Sequence, residues 1–420
     1  MKIKTLLIFI GIILLLAAGG AYWYFFLQNP APSLTDTGSN SQSTGFTPFG
    51  RPSTGTTQTP TGNTSATSTP APVVAKPIPT LRLLSSTPIG GYGASTTAST
   101  TIVRWVDRGR GNVYEAHENS LDITTLSNTV LPRMYTSVWN KNLTAFIGSL
   151  LQDGKEAPST VRASLVPQAQ ASTSSITPYA LKGSALPDNI IGYADSPKMD
   201  KVFMLMDLGG YAGGYVASVD GSGMKQIFTT PLTQLNVDWP SDNVIALTTK
   251  GSADEGGFLY FVDPKTGSWT KVLGPLPGLS AKVSRDAKYA VISAAGDSNN
   301  VLTSIYNIQK KTGIDAAIRT IADKCVWGNF YKNLVYCGVP SQQISGVYPD
   351  DWYKGTISFT DKIWQVNADT GEVHLISTIV DQSDRIIDSF NFGLDPKDNY
   401  LFFMNKNDLS FWSLDLVKGQ

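Results

Sequence analysis

The sequence predicts an all-β body rolled into a ring of repeated four-stranded sheets. Three observations predict it. From about residue 80 to 420, apolar residues come in short runs between turn clusters, as in KVFMLMD, NVIALTTK and KYAVISAA, with no long amphipathic helical stretch. A strand–turn–strand pattern recurs at a step of 44 residues, its turns starting at Ser196, Pro240, Ser284 and Gly328. The chain also ends one strand short of a full unit, while a spare strand precedes the first.

The repeat is read from YADSPKMDKVFMLM, VDWPSDNVIALTT, AKVSRDAKYAVISA and CVWGNFYKNLVYCG. Weaker copies lie near Asn140 and Asp395, and TIVRWVDRGRGNVYEAHE is a seventh, divergent unit. A second hairpin follows in each unit, as in YVASVDGSGMKQIF, LYFVDPKTGSWTKVL, SIYNIQKKTGIDAAI and IWQVNADTGEVHLI. Those turns end in Gly223, Gly267, Gly313 and Gly371, where a left-handed residue is wanted. Four antiparallel strands in a repeat of this length make a β-propeller blade. Missing helices exclude a TIM barrel, and the regular four-strand period excludes an open sandwich. The final LSFWSLDLVKGQ is a third strand without a fourth. The segment TLRLLSSTPIGG matches the fourth strands KQIFTTPL and VHLISTIV, so residues 81–86 are expected to complete the last blade and hide its edge. The expectation is a seven-bladed propeller closed by an N-terminal strand, preceded by one transmembrane helix and a disordered linker.

The helix is expected over residues 5–27, which carry no charge and are long enough to span a bilayer. Lys2 and Lys4 precede it, and no basic residue follows before Arg51, which keeps the N-terminus cytoplasmic and sends the rest across. A cleaved signal peptide competes, since LAAGGA offers small residues near a cut. The continuing AYWYFFL, an interfacial aromatic belt, favours an uncleaved anchor. No cysteine near the N-terminus could carry a lipid. Residues 29–79 are dominated by Ser, Thr, Pro and Gly, with Asp36, Arg51 and Lys76 as the only charges, which reads as a disordered tether. Its reach is roughly 40 Å. The expected division is a cytoplasmic tip and anchor at 1–28, a linker at 29–79 and a propeller at 80–420. The expected place is the cell membrane, single-pass, with the propeller extracytoplasmic.

That compartment bears on Cys325 and Cys337, the only cysteines of the chain. A metal half-site would need further Cys or His nearby, and a redox pair would more typically be C-x-x-C. The repeat puts the two on the first and second strands of the sixth blade. Pairing Trp327 with Val335 places them directly opposite each other, as a cross-strand disulfide requires.

Chemistry is sparse. The formal net charge is zero and no basic patch is visible, so nucleic acid is not an expected partner. His117 and His374, the only histidines, fall in different blades and read as structural or solvated. No G-x-S-x-G, H-E-x-x-H or Walker pattern occurs. GGYG at 90–93 and GGYAGG at 209–214 read as flexible loops. DGSG and DPKTG read as hairpin turns, since calcium loops need alternating ligands and a closing Glu. Trp139, Trp239 and Trp327 recur at one blade position and read as packing. No catalytic residue, metal ligand or cofactor is assigned.

The patterns S-P-x-x-D-K-V-F at 196–203 and D-P-K-T-G at 263–267 resemble the TolB-type and WD40-like propellers of bacterial envelopes. The layout also resembles uncharacterised single-pass, membrane-anchored propellers of candidate-phyla bacteria. The resemblance implies the propeller fold. TolB-type proteins carry an additional N-terminal α/β domain and six blades, and this chain has neither in its sequence pattern.

Two stretches break the period between second and third strands: 338–361 in the sixth unit, and an irregular stretch from about Gln152 to Pro178 in the second. Such loops share a face with the inter-blade connections around the channel mouth. Tyr348, Asp350, Asp351, Trp352 and Tyr353 put aromatics beside carboxylates, which suits peptide or sugar recognition. The competing role is a cap packed on itself over the mouth. The expected function is a membrane-tethered binding or assembly scaffold with an envelope protein, peptide or glycan as partner. The alternative is a propeller hydrolase or lyase using carboxylates at the channel mouth.

Overall fold

The computed structural model describes residues 77–154, 158–168, 178–297, 300–342 and 345–418. The chain divides into two units, 1–73 and 74–420, and every described residue lies in the second. The expected anchor at 5–27 and nearly all of the linker lie outside the described residues. Among the described residues no helix is long and apolar enough to cross a membrane.

Among the described residues twenty-eight strands form seven four-stranded antiparallel sheets, the blades of a propeller. Blades 1 to 6 occupy 89–127, 134–185, 190–230, 235–277, 280–315 and 325–378. Blade 7 takes three strands from 389–415 and its outer strand, Leu81–Ser85, from the start of the domain. Leu81 pairs with Leu414, Arg82 with Ser413 and Leu83 with Trp412, so the spare strand closes the ring as the sequence predicts. Every strand of the ring lies between Leu81 and Asp415, so the domain holds its own core and closure within 77–420.

Each blade is a sheet with two apolar faces, and both must be covered. Seven apolar clusters do this, one across each junction of successive blades. Trp139, Trp239 and Trp327 lie in three of them at 2–3% exposure, on first strands. Burying each contributes about 1.5–3 kcal/mol or more. An eighth cluster has no counterpart in the repeat and belongs to the 338–361 insertion.

The turn between first and second strands is built by one recurring device. Asn140, Ser196, Ser284 and Asp395 each accept, on a side-chain oxygen, the backbone N–H five residues on, at 2.7–3.1 Å. The third residue after each, Leu143, Met199, Ala287 or Asp398, has φ between 52° and 59°. Gly328 has no side chain to offer. Asp398 of blade 7 supplies the missing acceptor, taking the N–H groups of Asn329, Phe330 and Tyr331 at 2.8–3.0 Å. A Cβ on Gly328 would sit 2.2 Å from the Tyr331 carbonyl oxygen.

Several details depart from the sequence reading. GGYG is a strand: Ile89–Thr96 is the first strand of blade 1. A Cβ on Gly90, Gly91 or Gly93 would come within 2.5–2.6 Å of Met134, Ser137 or Trp139, so glycine is needed where blades 1 and 2 approach closely. TIVRWVD and VYEAH are therefore second and third strands. Gly209, Gly210 and Tyr211 of GGYAGG form the turn, and Ala212–Ser218 is a strand. The stretch 152–178 is divided by the strand Ser159–Pro167, so it is not one loop between second and third strands, and residues 169–177 of it lie outside the described residues. In the fifth blade Lys311, rather than Gly313, takes the positive φ.

Candidate functional site

The insertion carries a short helix, Asp350–Lys354, whose ends are written in YPDDWYKG. Pro349 stands at its N-cap, Asp350 and Asp351 fill the first turn, Lys354 the last, and Gly355 closes it at φ 76°. Short as it is, the helix ties the insertion to three other parts of the ring.

Asp350 accepts the Ala253 N–H at 2.7 Å and the Ser252 hydroxyl at 3.2 Å, both from the loop between second and third strands of blade 4. Asp351 accepts the Val347 N–H at 2.7 Å and holds the insertion's own turn. The Tyr353 hydroxyl donates to Asp323, in the connection from blade 5 to blade 6. The Trp352 indole N–H donates to Asp388, just before the first strand of blade 7, at 3.0 Å. Tyr348 stacks on Phe359 at 6.2 Å within the eighth cluster.

The sequence reading expected exposed aromatics here. That expectation of exposure holds for Tyr353 at 39%, while Tyr348 and Trp352 are 4% exposed. Their apolar area is taken up beneath the insertion, against Val301, Ile321 and Phe359.

Beneath Trp352 lies a group that sequence reasoning missed. Lys324 is fully buried, paired with Asp361 at 2.8 Å and with Asp388 more closely still. Its ammonium also lies over the rings of Phe359, at 4.8 Å, and Trp352, at 5.3 Å. Asp388 further accepts the Phe359 N–H, and Asp361 accepts the Ser389 N–H and hydroxyl. Burial pushes the Asp361 carboxyl upward, Lys324 opposes it and Asp388 reinforces it. A buried charge persists when paired and hydrogen-bonded, and this one joins blade 6 to blade 7. With no solvent access, the group is a brace.

A second set of charges comes from blades 3 to 5. Lys282, on the first strand of blade 5, lies 3.6 Å from Asp323. Burial works against its charge, but Asp323 and Asp238 outweigh it and its pKa is raised. Asp195, at the end of the first strand of blade 3, is pushed up by burial, with Arg285 opposing and Asp238 adding. First strands of neighbouring blades touch around the ring, so these groups stand on the channel side. Among the described residues no cluster of His, Cys, Asp and Glu could hold a metal ion. His117 meets Glu115 at 3.0 Å, and His374 sits on the outer strand Val373–Thr378.

The cysteines form the disulfide. Cys325 stands opposite Cys337 in the ladder, beside Trp327 opposite Val335, with Cα atoms 4.1 Å apart.

Exposed apolar side chains are more numerous on one face of the ring than on the other. Strand polarity puts inter-blade connections and second-to-third-strand loops on one face. Of nineteen exposed large apolar side chains among the described residues, ten lie there: Val130, Tyr135, Leu151, Ile191, Leu208, Tyr211, Leu232, Val347, Tyr353 and Ile386. Six lie toward the opposite face and three along outer or third strands.

No protein-family model matches the chain, and no curated protein matches it in sequence. Solved propeller structures are similar to it. They include TolB from Acinetobacter baumannii, at 10% identity over 77% of this chain and 78% of that one, TM-score 0.38. Oligogalacturonate lyase from Vibrio parahaemolyticus is 10% identical over 78% and 97%, TM-score 0.47. Virginiamycin B lyase from Staphylococcus aureus is 11% identical over 80% and 98%, TM-score 0.48.

Proposed function

We propose that this protein is a membrane-tethered, extracytoplasmic binding or assembly scaffold that captures an envelope protein, peptide or glycan on the insertion face of its propeller. The observation that carries the reading is the gathering of ten exposed apolar side chains on that rim. Apolar area left in water on one face marks a surface that a partner covers. The insertion keeps that face rigid through its ties to blades 4 and 7 and to the connection between blades 5 and 6, and a rigid surface loses little entropy on binding. Within it Tyr353 makes contact, while Tyr348, Asp350, Asp351 and Trp352 hold the frame. The uncharged apolar run at 5–27, with Lys2 and Lys4 before it, supports the membrane anchor in this reading, and the Ser/Thr/Pro/Gly-rich run at 29–79 supports the tether.

Photo-crosslinking in intact cells tests the face. Benzoylphenylalanine at Tyr135, Tyr211 or Tyr353 is expected to give adducts, and at Phe330 on the opposite face none. Equal yields from both faces, or none from the rim, would overturn the reading. Protease added to intact spheroplasts should remove the propeller. Full protection would reject the extracytoplasmic placement. The second reading, a hydrolase or lyase, draws on the raised Asp195. It requires a substrate that the native chain cleaves and the Asp195→Asn variant does not.

A further inference from the structure

The insertion also builds a cavity that the blade repeat alone would not contain. It lies between blades 5 and 6, with a volume of about 300 Å³. Val301 and Ile318 wall one side, Val339 and Trp364 the other, and Tyr348 and Phe359 come from the insertion. The volume reaches the range of small-molecule sites, which join an apolar wall to a few placed polar groups.

Its charges are one-sided. Arg319 and Lys362 line it, and no carboxylate does. The Arg319 guanidinium is committed to Asp315 at 2.8 and 2.9 Å. The Thr320 hydroxyl is committed to the Gly338 carbonyl. Lys362 has no ion pair or side-chain hydrogen bond among the described residues, though it is half-buried. A half-buried ammonium beside an apolar cavity, with no counter-ion, favours an anion that brings its own apolar body.

We propose that this cavity binds a small amphiphile with one anionic head, a carboxylate or sulfonate. The head pairs with Lys362, and the apolar body lies against Trp364, Tyr348 and Phe359. The cavity lies on the same insertion face as the partner rim, but none of the ten rim side chains lines it, so its occupancy is tested apart from partner capture.

The test uses residues 77–420, which contain the whole ring, and 10-bromodecanoate, whose bromine quenches a tryptophan it touches. Saturable quenching is expected, and its amplitude should fall when Trp364→Phe removes the reporter. Lys362→Glu should weaken apparent affinity at least tenfold with far-ultraviolet circular dichroism unchanged, and the uncharged 10-bromodecanol should bind at least tenfold more weakly. If Lys362→Glu fails to fold, Lys362→Met carries the same comparison. Ser341→Trp, on the exposed edge of the cavity, should block binding by filling it. Quenching that never saturates, equal binding of acid and alcohol, or affinity indifferent to Lys362 would each overturn the proposal.

Discussion

The indole N–H of Trp352 donates to Asp388 at 3.0 Å, across 36 residues and from one blade to the next. Asp388 is the same carboxylate that holds the buried Lys324, so one insertion residue completes a charged brace inside the ring. Removing the ring should therefore damage the domain itself. Trp352→Ala is expected to cost about 3–5 kcal/mol in denaturant unfolding, from lost packing and the cavity left behind. Trp352→Phe keeps most of the ring and loses the donor, for about 1–3 kcal/mol. Tyr353→Ala should leave the melting temperature nearly unchanged and reduce partner crosslinking. An insensitive Trp352→Ala would mean that the insertion is not braced.

Closure of the ring gives a second expectation. Deleting residues 81–86 uncovers the edge of the strand Phe411–Asp415 and removes the Leu81–Leu414 and Leu83–Trp412 pairs. An open edge is a template for pairing with other chains. The truncated domain should elute as aggregates and melt earlier. A monomeric product with unchanged melting would refute the closure.

Stability should depend on pH through Glu118, which follows the third strand of blade 1 and is buried against Arg82 and Ser413 of blade 7. Burial lifts its carboxyl to about 7, Arg82 and Ser413 oppose this, and Asp415 and Asp395 add to it. The native ring thus favours the protonated form. That contribution is complete below pH 4.5, the unfolded value, and is lost as pH rises through 7. The whole shift corresponds to about 3 kcal/mol. The melting temperature should fall between pH 5 and 8, and the Glu118→Gln variant should show a shallower fall. Parallel curves for the two proteins would exclude Glu118 as the cause.

The Cys325–Cys337 bond closes a loop of 12 residues within a hairpin that is already paired. Its removal by Cys325→Ser with Cys337→Ser should cost ~1–3 kcal/mol, less than a free loop of that size would lose. Non-reducing peptide mapping of protein taken from its own compartment should recover the two as one linked peptide. Two alkylatable thiols would point to a reducing compartment.

The sequence by itself determined the seven blades, the closing strand and the cysteine register. Those follow from period-two alternation and from a repeat of 44 residues, both of which survive as patterns along the chain. The repeat also placed Trp139, Trp239 and Trp327 in the core. It could not tell a glycine-rich loop from a glycine-rich strand, because Gly90, Gly91 and Gly93 are required by Met134, Ser137 and Trp139 on the neighbouring blade. In the sequence YPDDWYKG reads as a loop, and the structure makes Asp350–Lys354 of it a short helix. Only the tertiary structure turned Trp352 inward and Tyr353 outward. Only it set Lys324 beside Asp388, 64 residues away, and enclosed the cavity at Lys362. A buried charge finds its partner through space. Loops outside the repeat carry no period from which that meeting could be read.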